Sequence, residues 1–474
     1  MKRTLGFFLF VTSLALFAGC EIFDNRDDDL DDINYEAITD IRFSEHVLPL
    51  LQRKFALLLA AETGLRLDSW ESLMAGSDFG EVLIAFDADN SLLIELATKL
   101  DPPHPSQQGP EALTPVEIDF VARWIDEGAR NDAGQTPYEN ADQLLYVCNQ
   151  DAALISVIDM EANVVIRSVK LADFGFTDTP RPHHVGVEPD GSFWYVSLIG
   201  ANTLLKFNRA GDLVGQSDFF ATPGMVALHP TQDVVYTGRS LSAVDPPRSI
   251  GSIRRSDLNA ESAAAVDLVE VFFQKPHALR VSPDGAFLYT ASLVTNQLAV
   301  INTATQEVEL AGFPGDVQAY LHLAISPDSR TLYVTGQVGG QLSIFDAADP
   351  ANLSLTRTFD VNPGPWHPVL TPDGGLLYFG NKGANTVTAF DTQSQTVAAV
   401  VSGRGLARPH GAAVSPDGRF VYISNNNTMG TYTPRYDFGD NDRAGTVVVI
   451  DTATHEIVKV LEVEAFPTGM DAVR

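Results

Sequence analysis

The chain has 474 residues, enough for two domains with full cores, one of them large. Asp and Glu number 61 against 31 Lys and Arg, a formal net charge of -30, which excludes recognition of nucleic acid or of an anionic membrane through a basic patch. Cys20 and Cys148 are the two cysteines, so stability rests on packed cores and not on a disulfide framework.

Lys2 and Arg3, an apolar run from Leu5 to Phe17 and "LFAGC" ending at Cys20 read as a lipoprotein signal peptide over residues 1–20, with Cys20 as the lipidated residue. Phe17 stands where the usual site has Leu, so an ordinary cleaved signal and an uncleaved anchor stay open. The run is too short for an ordinary membrane span. The expected location is the bacterial cell envelope, periplasmic or surface-facing, with the membrane met through the lipid. The Asp-dense residues 21–38 read as a solvated tether.

Residues 39–132 carry a helical pattern. Ser44 is the expected cap of a first helix, and Thr114 with Pro115 opens a last one that ends at Gly128. A short middle helix, "SLLIELATKL", stops before Pro102 and Pro103.

After a linker over residues 133–142, residues 143–474 change to short β-branched and aromatic runs with a recurring phrase. The phrase reads "VEPDGSFWYV", "VSPDGAFLYT", "ISPDSRTLYV", "LTPDGGLLYF" and "VSPDGRFVYI", weakened in "LHPTQDVVYT". Each copy is a tight turn feeding a strand. Four strands at a period of roughly 40 to 45 residues spell a β-propeller blade. Six blades are complete, and "LLYVCNQDAALISVIDMEANVVIRSVKL" supplies three strands of a seventh, closed by "FPTGMDAV" from the other end of the chain. The fold class is multidomain: a small all-α domain, then an all-β seven-bladed propeller closed by the C-terminal strand.

These phrases resemble the YVTN family of WD40-like propellers. The N-terminal stretches "FSEHVLPLL", "GLRLDSWESLMAGSDFGEVL" and "LTPVEIDFVARWIDEGA" are similar to the planctomycete-type cytochrome c-like domain. In that family one helix carries Cys-x-x-Cys-His for haem. Here Phe55 and Leu58 stand at the thiol positions, Leu59 at the proximal ligand, and Asp101 precedes Pro102-Pro103 where a Met is usual. With no cysteine in the region, covalent haem c is chemically excluded. Non-covalent haem on His46 or His104 is a remaining alternative, and apolar packing is the expected fill.

Each innermost strand is preceded by a short motif offering one imidazole or thioether: His183 or His184, Met225, His277, His322, His367, His410 and Met470. Sevenfold convergence would make a ring at the channel mouth, and this donor set favours copper. Structural histidines are the competing reading, because the six histidines fall in two offsets and adjacent strand residues point to opposite faces. Two long insertions, "RSLSAVDPPRSIG" and "NNNTMGTYTPRYDFGDNDRAG", belong to the same face and read as lids or partner contacts. Asp437, Asp440, Asn441 and Asp442 in the second offer oxygens for calcium or simply form turns. Arg181 and Arg408 could meet an anion or pair on the surface. Cys148 reads as a buried small hydrophobe.

The expected role is therefore a haem-free binding or scaffolding module whose top face meets an envelope protein or small ligand. A copper redox protein and a propeller lactonase-like hydrolase are the alternatives.

Overall fold

A computed structural model describes residues 33–54, 64–78, 80–99, 112–239, 248–436 and 444–473. Cys20, Phe55, Leu58, Leu59, Asp101 to His104 and the Asp437 to Asp442 cluster lie outside the described residues.

Seven four-stranded antiparallel sheets form the propeller. Six blades are consecutive, with inner strands at Pro182–Val187, Pro223–Leu228, Pro276–Val281, Tyr320–Ile325, Pro365–Leu370 and Pro409–Val414, here blades 1 to 6. Blade 7 takes its inner strand from Pro467–Ala472, which pairs with Leu144–Asn149 through Leu145 opposite Ala472 and Val147 opposite Met470. The ring is thus closed by strands distant in sequence, and no inner edge is left open.

The repeated turn is a side-chain device. Ser282 Oγ donates to Asp284 Oδ1 at 2.5 Å and accepts from Phe287 N at 3.0 Å. Ser326 with Asp328, Thr371 with Asp373 and Ser415 with Asp417 repeat it. Gly285 at φ 77° fits because a Cβ would stand 2.7 Å from His229 Cε1. The strand after each turn sends a tyrosine between blades, and Tyr195, Tyr289, Tyr378 and Tyr422 are fully buried there.

The N-terminal region packs around Phe43, Val47, Leu50, Phe120 and Trp124. Its described helices are short: Leu48–Lys54, Trp70–Met74, Leu92–Thr98 and Pro115–Asp126. Thr114 caps the last with Glu117 in a reciprocal box, as the sequence indicates. Ser44 is not a cap. A wide π-turn, Phe43–Val47, opens the first helix, and Ser44 N donates to Asp132 Oδ1 at 3.1 Å. Pro49 follows directly, lacking the N–H that a tight first turn would use.

This region sits on blade 7. Glu81 Oε2 accepts from Val165 N at 2.9 Å, and Lys170 Nζ lies 2.6 Å from Asp87 Oδ1. The described part of the second insertion is anchored to blade 6 and to the helical region: Tyr432 Oη donates to Glu462 at 2.5 Å, and Tyr436 packs on the helical core. Its described part ties the domains together instead of forming a lid.

Candidate functional site: the histidine channel

Every inner strand begins in the same unusual way. The residue before it is left-handed in all seven blades: Arg181, Thr222, Lys275, Ala319, Gly364, Arg408 and Phe466 have φ between 52° and 71°. Six are not glycine, so each costs on the order of 1 kcal/mol of backbone strain. A register shift follows at once in each strand, as between Pro182 and His184 or Pro409 and Ala412. Such bulges re-aim side chains beside sites. Strict alternation, which would send neighbouring residues to opposite faces, therefore does not hold here.

Consequently both histidine offsets face the axis, in two tiers. The upper holds His183, His277 and His410, from blades 1, 3 and 6; ring centroids of His183 lie 6.1 Å from His277 and 6.2 Å from His410. The lower holds His184, His322 and His367, from blades 1, 4 and 5, with centroid separations of 6.3, 6.0 and 4.7 Å. Blades that are not neighbours touch at such distances only across the channel. His367 also stands 5.1 Å from His410, which links the tiers.

All six are buried. Burial pushes His183 down to about 3 and His277 to about 4, and holds His184, His322, His367 and His410 well below the usual imidazole range, with mutual repulsion adding at most of them. They are neutral imidazoles at physiological pH, the form that ligates metal. One ring nitrogen from each imidazole of the lower tier lies within 4.8 Å of the others.

Their hydrogen bonds are incomplete. His277 Nδ1 donates to Leu321 O at 2.7 Å and His183 Nδ1 meets Gln150 Oε1 at 3.2 Å, which leaves each Nε2 as a lone pair. His184 Nδ1 accepts from Val226 N over a long 3.3 Å. Both nitrogens of His322, Nε2 of His183 and His367, and Nδ1 of His410 are buried with no partner. Histidines elsewhere are paired: His229 Nδ1 accepts from Gln232 N at 2.8 Å, and His455 Nδ1 meets Tyr378 Oη at 2.8 Å.

Met225 and Met470 do not join the ring. Met225 packs with Val271, Leu279 and Leu288 between blades, and Met470 with Leu145, Val447 and Ala413. The thioethers are thereby removed from the donor set, and with them the argument that singled out copper: nitrogen donors alone suit zinc as well.

Groups beyond the histidine motifs complete the channel, and of these only Arg408 is singled out by the sequence. At the mouth, Trp366 lies 5.2 Å from His410, Lys382 Nζ stands 4.0 Å over the Trp366 ring, and Arg408 precedes His410 by two residues. Below the lower tier, Arg280 acts on His184, His322 and His367. Beyond it opens a cavity of about 510 Å³ ringed by the turn prolines Pro189, Pro230, Pro283, Pro327, Pro372 and Pro416. Cys148 is buried away from the channel mouth in an apolar cluster, its thiol held well above the usual range by burial.

A family model described as "Lactonase, 7-bladed beta-propeller" matches residues 138–360 and 274–433, more than half of the chain. A 6-phosphogluconolactonase of Klebsiella pneumoniae is 21% identical over 301 residues, covering 59% of this chain and 87% of that protein. The structure of the periplasmic gluconolactonase of Pseudomonas aeruginosa superposes with a TM-score of 0.55 at 20% identity, over 70% of this chain and 99% of that one. A protein of unknown function from Desulfotomaculum acetoxidans gives 0.55 at 14% identity, over 69% and 98%. At these identities the structures share the fold.

Proposed function

The chain belongs to the seven-bladed β-propeller lactonase family, and from that premise we propose that its channel is a small-molecule site built around a transition-metal ion held by His184, His322 and His367. One observation carries this reading: three buried neutral imidazoles from different blades bring their ligand atoms within 4.8 Å, while both nitrogens of His322 and Nε2 of His367 have no other partner. Leaving such groups unpaired costs about 1–3 kcal/mol each, so the arrangement favours something that takes their lone pairs.

Ligands of a four-coordinate zinc ion at about 2.0–2.1 Å stand roughly 3.4 Å apart, so the triangle closes by about an ångström or more on binding. Neither nitrogen of His322, nor Nε2 of His367, has a hydrogen bond to give up. His184 is the conditional ligand, because ligation trades away the long bond from Val226 N. Three protein ligands leave one coordination position, and the ion would supply Lewis acidity toward a carbonyl or a bound water.

Lactone hydrolysis is the reaction that the family and the 6-phosphogluconolactonase relative support. Burial makes weak bases of the imidazoles, with His183 at about 3, His277 at about 4 and the other four held well below the usual range, so unaided proton abstraction by them is disfavoured. Lys382, brought down to about 7 by burial and by Arg408, is the group at the mouth able to exchange a proton near neutrality. An envelope location, through the leader and Cys20, belongs to the same proposal.

Elemental analysis of the full chain, before and after loading with zinc or copper, tests the ion. About one ion per chain, lost in a His322→Ala/His367→Ala variant, is expected; protein that stays metal-free after loading overturns the site. Turnover of a gluconolactone by loaded protein, abolished in the same variant, is expected; metal without turnover removes the hydrolase and leaves a metal-dependent binding module.

A further inference from the structure

We propose that the mouth of the channel binds a small organic carboxylate, received by Lys382, Arg408 and the indole N–H of Trp366 above the upper histidine tier. The chain carries a net charge of -30, yet two cations meet here with no counter-charge among the described residues. The Lys382 ammonium has no hydrogen bond or ion pair among the described residues and rests on the face of Trp366 at 4.0 Å. Arg408 Nε and Trp366 Nε1 are both buried with no partner. The equivalent arginine of blade 1, Arg181, lies 3.9 Å from Asp151, so the two arginines that open inner strands differ in their pairing.

Electrostatics agree with the geometry. Burial, and then the charge of Arg408, lowers Lys382 to about 7, and Lys382 in turn disfavours protonation of His183 and His410. Lys382 and Arg408 repel one another, and an anion seated between them offsets that repulsion. A guanidinium beside an ammonium suits the two oxygens of a planar carboxylate, and the unpaired indole N–H of Trp366 adds a neutral donor. A phosphate dianion asks for more donors than these. The rest of the surface repels anions, so the mouth is where one enters.

The site does not require an ion at His184, His322 and His367, so its failure and that of the metal reading are separable. Metal-free full chain is titrated with succinate and, separately, with inorganic phosphate, read by tryptophan fluorescence. Saturable binding of succinate is expected, with the signal largely lost in Trp366→Phe. Lys382→Met and Arg408→Met should each weaken succinate by about tenfold or more, the usual weight of a charge-assisted hydrogen bond, whereas Arg181→Met should not. Arg408→Lys, which keeps the charge and loses the fork, guards against a folding defect and should be intermediate. Absence of saturable binding, equal affinity in the Lys382 and Arg408 variants, or tighter binding of phosphate than succinate would overturn the proposal.

Discussion

The channel and the seam between the helical region and blades 6 and 7 both enclose ionisable side chains in neutral form, and they lean in opposite directions with pH. In the channel, imidazoles are pushed down; in the seam, burial pushes Glu81 and Glu464 up to about 7. The seam carboxyls serve structure: Glu81 accepts a bond from Val165 N and feels the charge of Lys459. The channel imidazoles are buried with several of their nitrogens unpaired. A buried titratable group thus marks a site when its bonding capacity is left over, and a joint when that capacity is used.

The contrast breaks or sharpens under three perturbations. The largest effect concerns acid. His277 falls from 6.5 to about 4 on folding, so the unfolded chain binds the extra proton and stability drops as pH falls below 6.5. Denaturant unfolding of metal-free protein should lose about 2 kcal/mol for this residue alone between pH 6.5 and 5. His277→Gln should flatten that slope; equal slopes would remove the channel's side of the contrast.

The seam behaves conversely. Glu81 rises from 4.5 to about 7, so the folded state holds a proton that the unfolded one releases, and stability drains away as pH rises through that window. Glu81→Gln keeps an acceptor for Val165 N and should stabilise the protein by about 1–3 kcal/mol at pH 8. The gain should vanish near pH 4.5. A loss of stability at pH 8 would mean that the charged carboxylate is needed.

Smallest is the effect of a satisfied histidine. His229 bonds Thr231 N, Gln232 N and Gly285 O, and His229→Ala should cost about 1–2 kcal/mol while leaving metal content unchanged. Loss of metal with it would show that bonding state does not separate the two kinds of histidine.

Much of this was legible in the sequence because it repeats. The Pro-Asp-Gly turns and the divided seventh blade announce the propeller, and the Pro-His corners announce its mouth. The two-tier arrangement was hidden because parity along a strand assumes regular pairing, whereas a left-handed residue and a bulge open every inner strand. Met225 and Met470 looked like ligands from position alone, and the same bulges carried them into inter-blade cores. Lys382 follows a different strand from His410, so no spacing connects them; the fold alone does. The haem-lineage reading of the N-terminal region rests on its motifs, with Phe55, Leu58 and Leu59 outside the described residues.

The closing blade joins strands that are made far apart in time. Thr468 Oγ1 bonds the carbonyl of His183, and Gly469 lies so close to His184 that a Cβ would stand 2.5 Å from Cδ2, while Thr468 and its partner Cys148 are 320 residues apart in the chain. At about 5–20 residues per second, synthesis takes roughly tens of seconds to span that interval. The wall behind both histidine tiers is therefore made well after the first strand that it joins. A nascent chain carries the imidazoles long before it has a channel to hold them, and chains cut short before Pro467 are born without the site.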